Sequence, residues 1–359
     1  MKRQHIAFAA LLVGVAACLF AWRVDAAALL AAYLAAWWFC IGLLLGGLAN
    51  VWLHNLTGGE WGEAIRAPLL RNARWMWLAT LLFLPIAFGV SHLYPWAQVE
   101  GAAHLRQALS APGFKSTWLQ PGFFLVRSAV YLLIWCALAG FSMQPSLQRA
   151  RLFSAFALIV YGFTVSLAAV DWIMSLMPLW YSSAFGLLAG TAQMLAAMAL
   201  AIVYAIRGGA PPSTLRDLGN LLLMYVMTWA YLAFVQFLII WAENLPHEIG
   251  WYLVRVRDGW LGLAWALALL LFFVPQLVLL SRRAKETPSV LGALALGVLA
   301  MSMFYTWWLI LPSVSAVSHS WLWLAPLPLV ALGALAWLLH RRQAIPVEDD
   351  RRHAGERHV

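Results

Sequence analysis

The feature that most constrains this chain is a series of long apolar runs. A transmembrane helix needs roughly 20 apolar residues to cross ~30 Å of hydrocarbon. About ten runs reach this length, near residues 6–22, 26–53, 75–94, 121–143, 152–175, 184–206, 217–242, 258–281, 289–311 and 319–340. None alternates with the period of two that membrane barrel strands require. The sequence therefore predicts an all-α polytopic membrane protein of about ten transmembrane helices.

Composition excludes a water-soluble domain. Charged residues make up 10% of the 359 positions, hydrophobic residues 64%, and mean hydropathy is +0.80. Soluble domains carry roughly 25% charged residues, so this chain has too few to cover a surface facing water. We expect residues 1–342 to form a single transmembrane domain and 343–359 to form a disordered cytoplasmic tail.

The distribution of basic residues predicts the orientation. With the N-terminus placed inside, 17 of the 23 Lys and Arg residues fall in inner segments. This is the bias that cytoplasmic loops show. We therefore expect a multi-pass protein of the bacterial inner membrane with both termini in the cytoplasm. The net charge of +9 is explained by topology, so no nucleic-acid partner is predicted.

Cysteine and histidine positions argue against bound metal centres. Cys18, Cys40 and Cys136 lie inside apolar runs without a CxxC pattern, and no histidine lies in the middle of a run. A b-type haem between helices needs axial ligands within the spans, so we expect no haem, iron–sulfur cluster or other metal in this chain. Residues 15–18 also resemble a lipoprotein signal, which leaves lipidation of Cys18 as an alternative to an ordinary first helix.

Asp171 is the most informative polar residue within a run. It lies late in the fifth run, in the stretch Ala-Val-Asp-Trp-Ile. A carboxyl group at this depth either binds a proton or pairs with a cation. Arg127, early in the fourth run, lies at the same depth because consecutive spans run antiparallel. Two interpretations remain open: a structural ion pair that fixes helix packing, and a site of proton chemistry.

The other polar residues in the runs form two groups by depth. Those near the same surface as Asp171 include His92, Trp172, Gln236 and Glu243. Asn50 and His54 lie near the opposite surface, four positions apart and so on one helix face. Ionisable residues at membrane depth usually mark pathways. Asn50 and His54 are therefore candidates for a functional role.

Several short motifs carry a family resemblance. The segments include HNLTGGEWG at 54–62, VDWIMSL at 170–176, DLGNLL at 217–222, and further pieces at 83–85, 92–97, 229–231, 236, 239–241, 244–246 and 248–252. In order and spacing they resemble the NrfD/PsrC-like family of membrane subunits, and in particular the ActF-type subunits of alternative complex III. The resemblance covers roughly residues 30–285.

The resemblance implies a fold and a function. It implies two four-helix bundles, about 26–175 and 184–311, with peripheral helices 6–22 and 319–340. It implies a quinol-interacting subunit of a respiratory quinol:cytochrome c oxidoreductase that contributes a proton pathway. Its partners would be multihaem cytochrome c and iron–sulfur subunits and a second NrfD-like membrane subunit.

The resemblance also suggests roles for the polar residues. Asp171 would accept a proton from quinol, Arg127 would set its charge state, and His92 would be its hydrogen-bond partner. The quinone would lie near Trp172, Gln236 and Glu243. Asn50 and His54 would form a proton entry on the inner side. The alternative is a cofactor-free membrane scaffold that anchors redox subunits without binding quinone. A secondary transporter is disfavoured, because the predicted midplane carries almost no charge.

Overall fold

The computed structural model describes residues 2–98, 117–257, 259–314 and 324–342. Within these residues every regular element is helical. The predicted tail at 343–359 lies outside the described residues. The helices are α1 (Lys2–Val24), α2 (Ala26–Thr57), α3 (Glu60–Ala73), α4 (Met76–Leu81), α5 (Leu84–Phe88), α6 (Val90–Leu93), α7 (Pro121–Ser142), α8 (Arg151–Trp172), α9 (Phe185–Arg207), α10 (Pro212–Glu243), α11 (Pro246–Leu253), α12 (Trp260–Leu267), α13 (Val274–Leu280), α14 (Arg282–Glu286), α15 (Pro288–Ile310) and α16 (Pro326–Arg342).

Eight helical segments of the described residues are long and apolar enough to cross a membrane. They are His5–Val24, Ala26–Thr57, Pro121–Ser142, Arg151–Leu176, Phe185–Arg207, Pro212–Glu243, Trp260–Leu280 and Pro288–Ser313. Each matches one of the predicted runs, so the all-α polytopic membrane fold is confirmed. The two remaining runs form shorter apolar helices, Met76–Phe88 and Pro326–Ala336.

The third predicted span is a broken helix rather than a continuous one. Pro85 has no N–H to donate to the carbonyl four residues earlier, and the chain tightens there into short turns. Two carbonyls released by these turns are bonded by side chains of α2. Trp37 Nε1 donates to the Ala79 oxygen and Tyr33 Oη to the Leu82 oxygen, both at 2.7 Å. The break is therefore stable at membrane depth, because neighbouring side chains satisfy the freed backbone groups.

Helix α2 is the centre of the molecule. It spans 32 residues, is mostly buried, and packs against α3, α8, α9, α15 and α16. Gly46 allows its closest approach to α9, since a Cβ there would collide with the Gln193 carbonyl. Because α2 contacts α8 and α9 alike, the two predicted bundles share an extensive interface.

The helix directions define two ends of the bundle. Helix α8 ends at Trp172 and α10 ends at Glu243 on the same side, where Ser182 Oγ donates to Gln236 Oε1 at 3.0 Å. We call this side the Asp171 end. Helix α3 and the start of α10 lie at the opposite side, which we call the α3 end.

Candidate functional site

Arg127 of α7 and Asp171 of α8 form a buried ion pair at the Asp171 end. Arg127 Nε donates to Asp171 Oδ2 and Nη2 donates to Oδ1, both at 2.9 Å. Asp171 is fully buried and Arg127 is 7% exposed. This bidentate geometry is the strongest that an arginine and a carboxylate adopt. The pairing that the sequence predicts is confirmed.

Two further donors complete the shell of the Asp171 carboxylate. Tyr131 Oη donates to Oδ2 at 2.9 Å, and Trp118 Nε1 donates to Oδ1 at 2.6 Å. The Arg127 guanidinium also lies 3.9 Å from the centroid of the Trp118 ring. An ionised carboxylate has about four acceptor positions, and here all four are filled. Asp171 therefore ties α7, α8 and Trp118 together, and a proton donor reaches it only if one of these groups moves.

Trp118 and Tyr131 are contributors that the sequence reasoning missed. Trp118 lies just before α7, and Tyr131 lies four residues after Arg127 on that helix. The spacing of Tyr131 is a usable signal, because residues four apart share a helix face. Trp118 offered no such signal, since it lies before α7 and outside the predicted run 121–143.

Trp172 belongs to an aromatic cluster in the interior. Its ring centroid lies 5.2 Å from Trp37 and 4.9 Å from Phe83, and its Nε1 donates to Ser128 Oγ at 2.9 Å. Trp172 is fully buried. It supports the helix contacts around Asp171, and in this arrangement its ring does not face a ligand arriving from the lipid.

The other residues predicted for the Asp171 site lie apart from it. His92 is exposed, and its ring lies 5.5 Å from that of Trp22 on α1. Gln236 is buried against Ser182 and interacts with the Tyr252 hydroxyl. Glu243 is exposed at the end of α10. The structure thus unites Arg127 with Asp171 but places these three residues elsewhere at the same end.

A second buried arginine, Arg255, lies at the Asp171 end and pairs with no carboxylate of the described residues. It is 1% exposed and donates to three carbonyls, those of Trp251 at 2.6 Å, Trp308 at 3.2 Å and Leu309 at 2.7 Å. Nη2 also donates to Ser313 Oγ at 2.7 Å. Two of these carbonyls end α15, where the helix leaves acceptors unbonded and the dipole favours a cation. The sequence analysis did not single out Arg255.

A hydrogen-bonded group at the α3 end contains His54. Arg66 Nη2 lies 3.0 Å from His54 Nδ1, and His54 Nε2 lies 2.8 Å from the Gly59 oxygen. Arginine can only donate, so Nδ1 accepts and Nε2 carries the proton that bonds Gly59. His54 is therefore a neutral imidazole held between α3 and the turn that precedes it.

Asn50 belongs to a different group, near the middle of the bundle. Tyr225 Oη donates to Asn50 Oδ1 at 2.7 Å, and Asn50 Nδ2 donates to the Met194 oxygen at 3.2 Å. Beside it, Tyr161 Oη lies 3.2 Å from Gln193 Oε1. Asn50 thus faces α9 and α10, whereas His54 faces α3. The two residues share the buried side of α2 but no hydrogen bond joins them directly in the described structure.

A bidentate ion pair lies on the exposed surface of the α3 end. Arg149 Nη1 and Nη2 donate to the two carboxylate oxygens of Glu63 at 2.7 and 2.9 Å. These bonds hold the pKa of Glu63 below its usual range. Both side chains are largely exposed, so the pair contributes little to stability.

A groove opens beside the end of α10. It has a volume of about 510 Å³ and lies between α10 and α11. Its walls are Phe237, Ile240, Trp241, Ala242, Asn244, Ile249 and Tyr252. Asn244 ends α10 in a left-handed conformation, with φ of 52°, and thereby turns the chain into α11. The predicted residues Gln236 and Glu243 adjoin this groove rather than Asp171.

The fold and its buried polar groups define an all-α polytopic membrane protein. Within the described residues, no three His, Cys, Asp or Glu side chains are grouped so as to hold a metal ion. No family model matches the chain, and no curated protein matches it.

Proposed function

We propose that this chain is the quinol-interacting membrane subunit of a respiratory quinol:cytochrome c oxidoreductase of the alternative complex III type. In this proposal it lies in the bacterial inner membrane with both termini in the cytoplasm. Multihaem cytochrome c and iron–sulfur subunits and a second NrfD-like subunit are its partners. The motif resemblance supports this function, and one structural observation carries it: the groove between α10 and α11.

The size and lining of the groove support the proposed quinone site. Pockets for small ligands usually measure roughly 300–1,000 Å³ and combine apolar walls with a few polar groups. This groove is within that range, and its wall residues Phe237 and Trp241 are exposed, as entry of a membrane-soluble ligand would require. Asn244 and Tyr252 supply the polar groups that orient a headgroup.

The chain's own residues would bind the quinol and accept its protons. Oxidation of a bound quinol supplies two electrons, which pass to the partner subunits, and two protons. Glu243 is exposed between the groove residues Ala242 and Asn244, so it is placed to accept a proton at the rim. Gln236 precedes the groove residue Phe237 in the chain, and its Oε1 accepts from Ser182 Oγ at 3.0 Å.

The ion pair of Arg127 with Asp171 has a supporting role in this proposal. Its filled hydrogen-bond shell suits it to hold α7 against α8. The buried polar groups around Asn50 and Gln193 are the residues from which a proton pathway through the bundle would be built.

A matched pair of tryptophan variants tests the groove. Trp241 lines it and is 67% exposed, whereas Trp265 on α12 is 69% exposed and lies outside it. The tagged protein would be purified with its partners from native membranes, and bound quinone and quinol-dependent cytochrome c reduction measured. Losing one ring contact should lower quinone affinity about threefold to tenfold in Trp241→Ala. Trp265→Ala should match the wild type.

Two further results complete this test. Glu243→Gln should slow quinol oxidation while the bound quinone stays unchanged. If Trp241→Ala, like Trp265→Ala, has the quinone content and the KM of the wild type, the groove is refuted as the site.

A second candidate function is a cofactor-free scaffold that anchors redox subunits. The observation that favours it is the completed shell of Asp171, which is typical of a structural ion pair. Redox partners that purify with the chain, without any quinone in the α10–α11 groove, would support this function over the first. A chain that purifies alone would argue against both.

A further inference from the structure

A separate cleft opens at the α3 end of the bundle. It has a volume of about 410 Å³ and lies on the surface of α2, with α4 on one side and α15 and α16 on the other. Most of its lining is aliphatic, including Leu43, Leu78, Leu200 and Leu335. Nothing in the proposed function uses this cleft.

The polar residues of the cleft are confined to its mouth. Along α9 the wall runs from Leu200 to Arg207, which are seven positions and about 10 Å apart along the helix. Asn72 and Tyr204 lie at the same level as Arg207, where Asn72 Nδ2 donates to Tyr204 Oη at 3.2 Å. Trp75 lies at the mouth as well. An aliphatic cleft with polar residues at one end suits an amphiphile whose acyl chain lies along the aliphatic part.

The mouth is positively charged. Arg207 is the one charged residue in the described lining, and it is exposed. Arg71 and Arg74 flank Asn72 in the chain and are exposed too. None of these three arginines forms an ion pair within the described part of the chain. Tryptophan and arginine at this level are typical of the headgroup region of a bilayer.

We propose that this cleft binds one anionic phospholipid, with an acyl chain between α4 and α16 and the phosphate at Arg207. Charge complementarity selects this occupant over a neutral lipid, because basic side chains near the surface attract anionic headgroups. The wall of about 10 Å along α9 and the aliphatic lining accommodate the acyl chain. The inference is independent of the quinol-interacting function, since it concerns the opposite end of the molecule.

Retention of lipid by the purified protein tests the proposal. Wild type and variants would be reconstituted with equal amounts of phosphatidylglycerol and phosphatidylcholine, washed stepwise in detergent, and analysed by native mass spectrometry. The wild type should retain one phosphatidylglycerol. Arg207→Gln should weaken retention about fivefold, the effect of one basic residue near the surface. Arg283→Gln removes another exposed arginine from the α3 end and should leave retention unchanged.

Two controls separate lipid binding from folding. Arg207→Lys keeps the charge and should retain the lipid, even if Arg207→Gln is less stable. Equal retention of phosphatidylcholine, or no effect of Arg207→Gln, would overturn the proposal. Recovery of a quinone from the cleft would also overturn it.

Discussion

Replacement of Asp171 by Asn tests whether the buried ion pair is structural. The substitution keeps the size of the side chain but removes its charge and half of its strong acceptors. Arg127 would then stay buried beside a neutral amide, and Tyr131 or Trp118 would compete with it for a single oxygen.

The expected loss of stability follows from this geometry. Removing one partner of a buried pair usually costs about 3–5 kcal/mol, because the other charge remains without compensation. We therefore expect Asp171→Asn to lower the free energy of unfolding by about 3–5 kcal/mol. The double variant Arg127→Gln with Asp171→Asn should recover much of this loss, since two amides can bond each other without a buried charge.

The assay is equilibrium unfolding in mixed detergent micelles, with Asp25→Asn as the control. Asp25 caps α2, with Oδ1 accepting from the Ala28 N–H at 2.9 Å, and asparagine caps a helix as well as aspartate. The control should therefore be nearly neutral. A stable Asp171→Asn protein that no longer oxidises quinol would refute the structural reasoning and support Asp171 as a proton acceptor.

Three further predictions use other contacts. Gly46→Ala should destabilise the protein by at least about 1 kcal/mol through overpacking between α2 and α9. Gly162→Ala on α8, where an added Cβ would meet no described atom of another helix within 4 Å, should be neutral or stabilising in the same unfolding assay. Arg255→Lys should cost at least about 2 kcal/mol, because an ammonium cannot reach all the acceptors that the guanidinium bonds; unchanged stability would contradict this. Glu63→Gln should cost less than about 1 kcal/mol at neutral pH. Since the folded pKa of Glu63 is depressed, that contribution is present above the unfolded pKa of about 4.3 and disappears as pH falls through the folded pKa, so the variant and wild-type unfolding curves should converge in acid.

The sequence by itself determined the fold class and one buried contact. Apolar runs of bilayer length leave a chain few alternatives to membrane-spanning helices, because backbone polar groups must be bonded within each segment in lipid. The pairing of Arg127 with Asp171 was predictable for a similar reason. A charge at membrane depth needs a partner, and antiparallel neighbours place these two residues at one level.

Only the tertiary structure decided how each side chain is used. Hydropathy gives the depth of a residue but not the rotation of its helix, so it grouped His92 and Gln236 with Asp171 although they face other neighbours. It gave no sign that Trp37 and Tyr33 would bond the carbonyls of a broken third span. Arg255 likewise donates to carbonyls at the end of α15 instead of to a carboxylate. These outcomes depend on which helix faces meet, and that is settled by packing across the whole bundle.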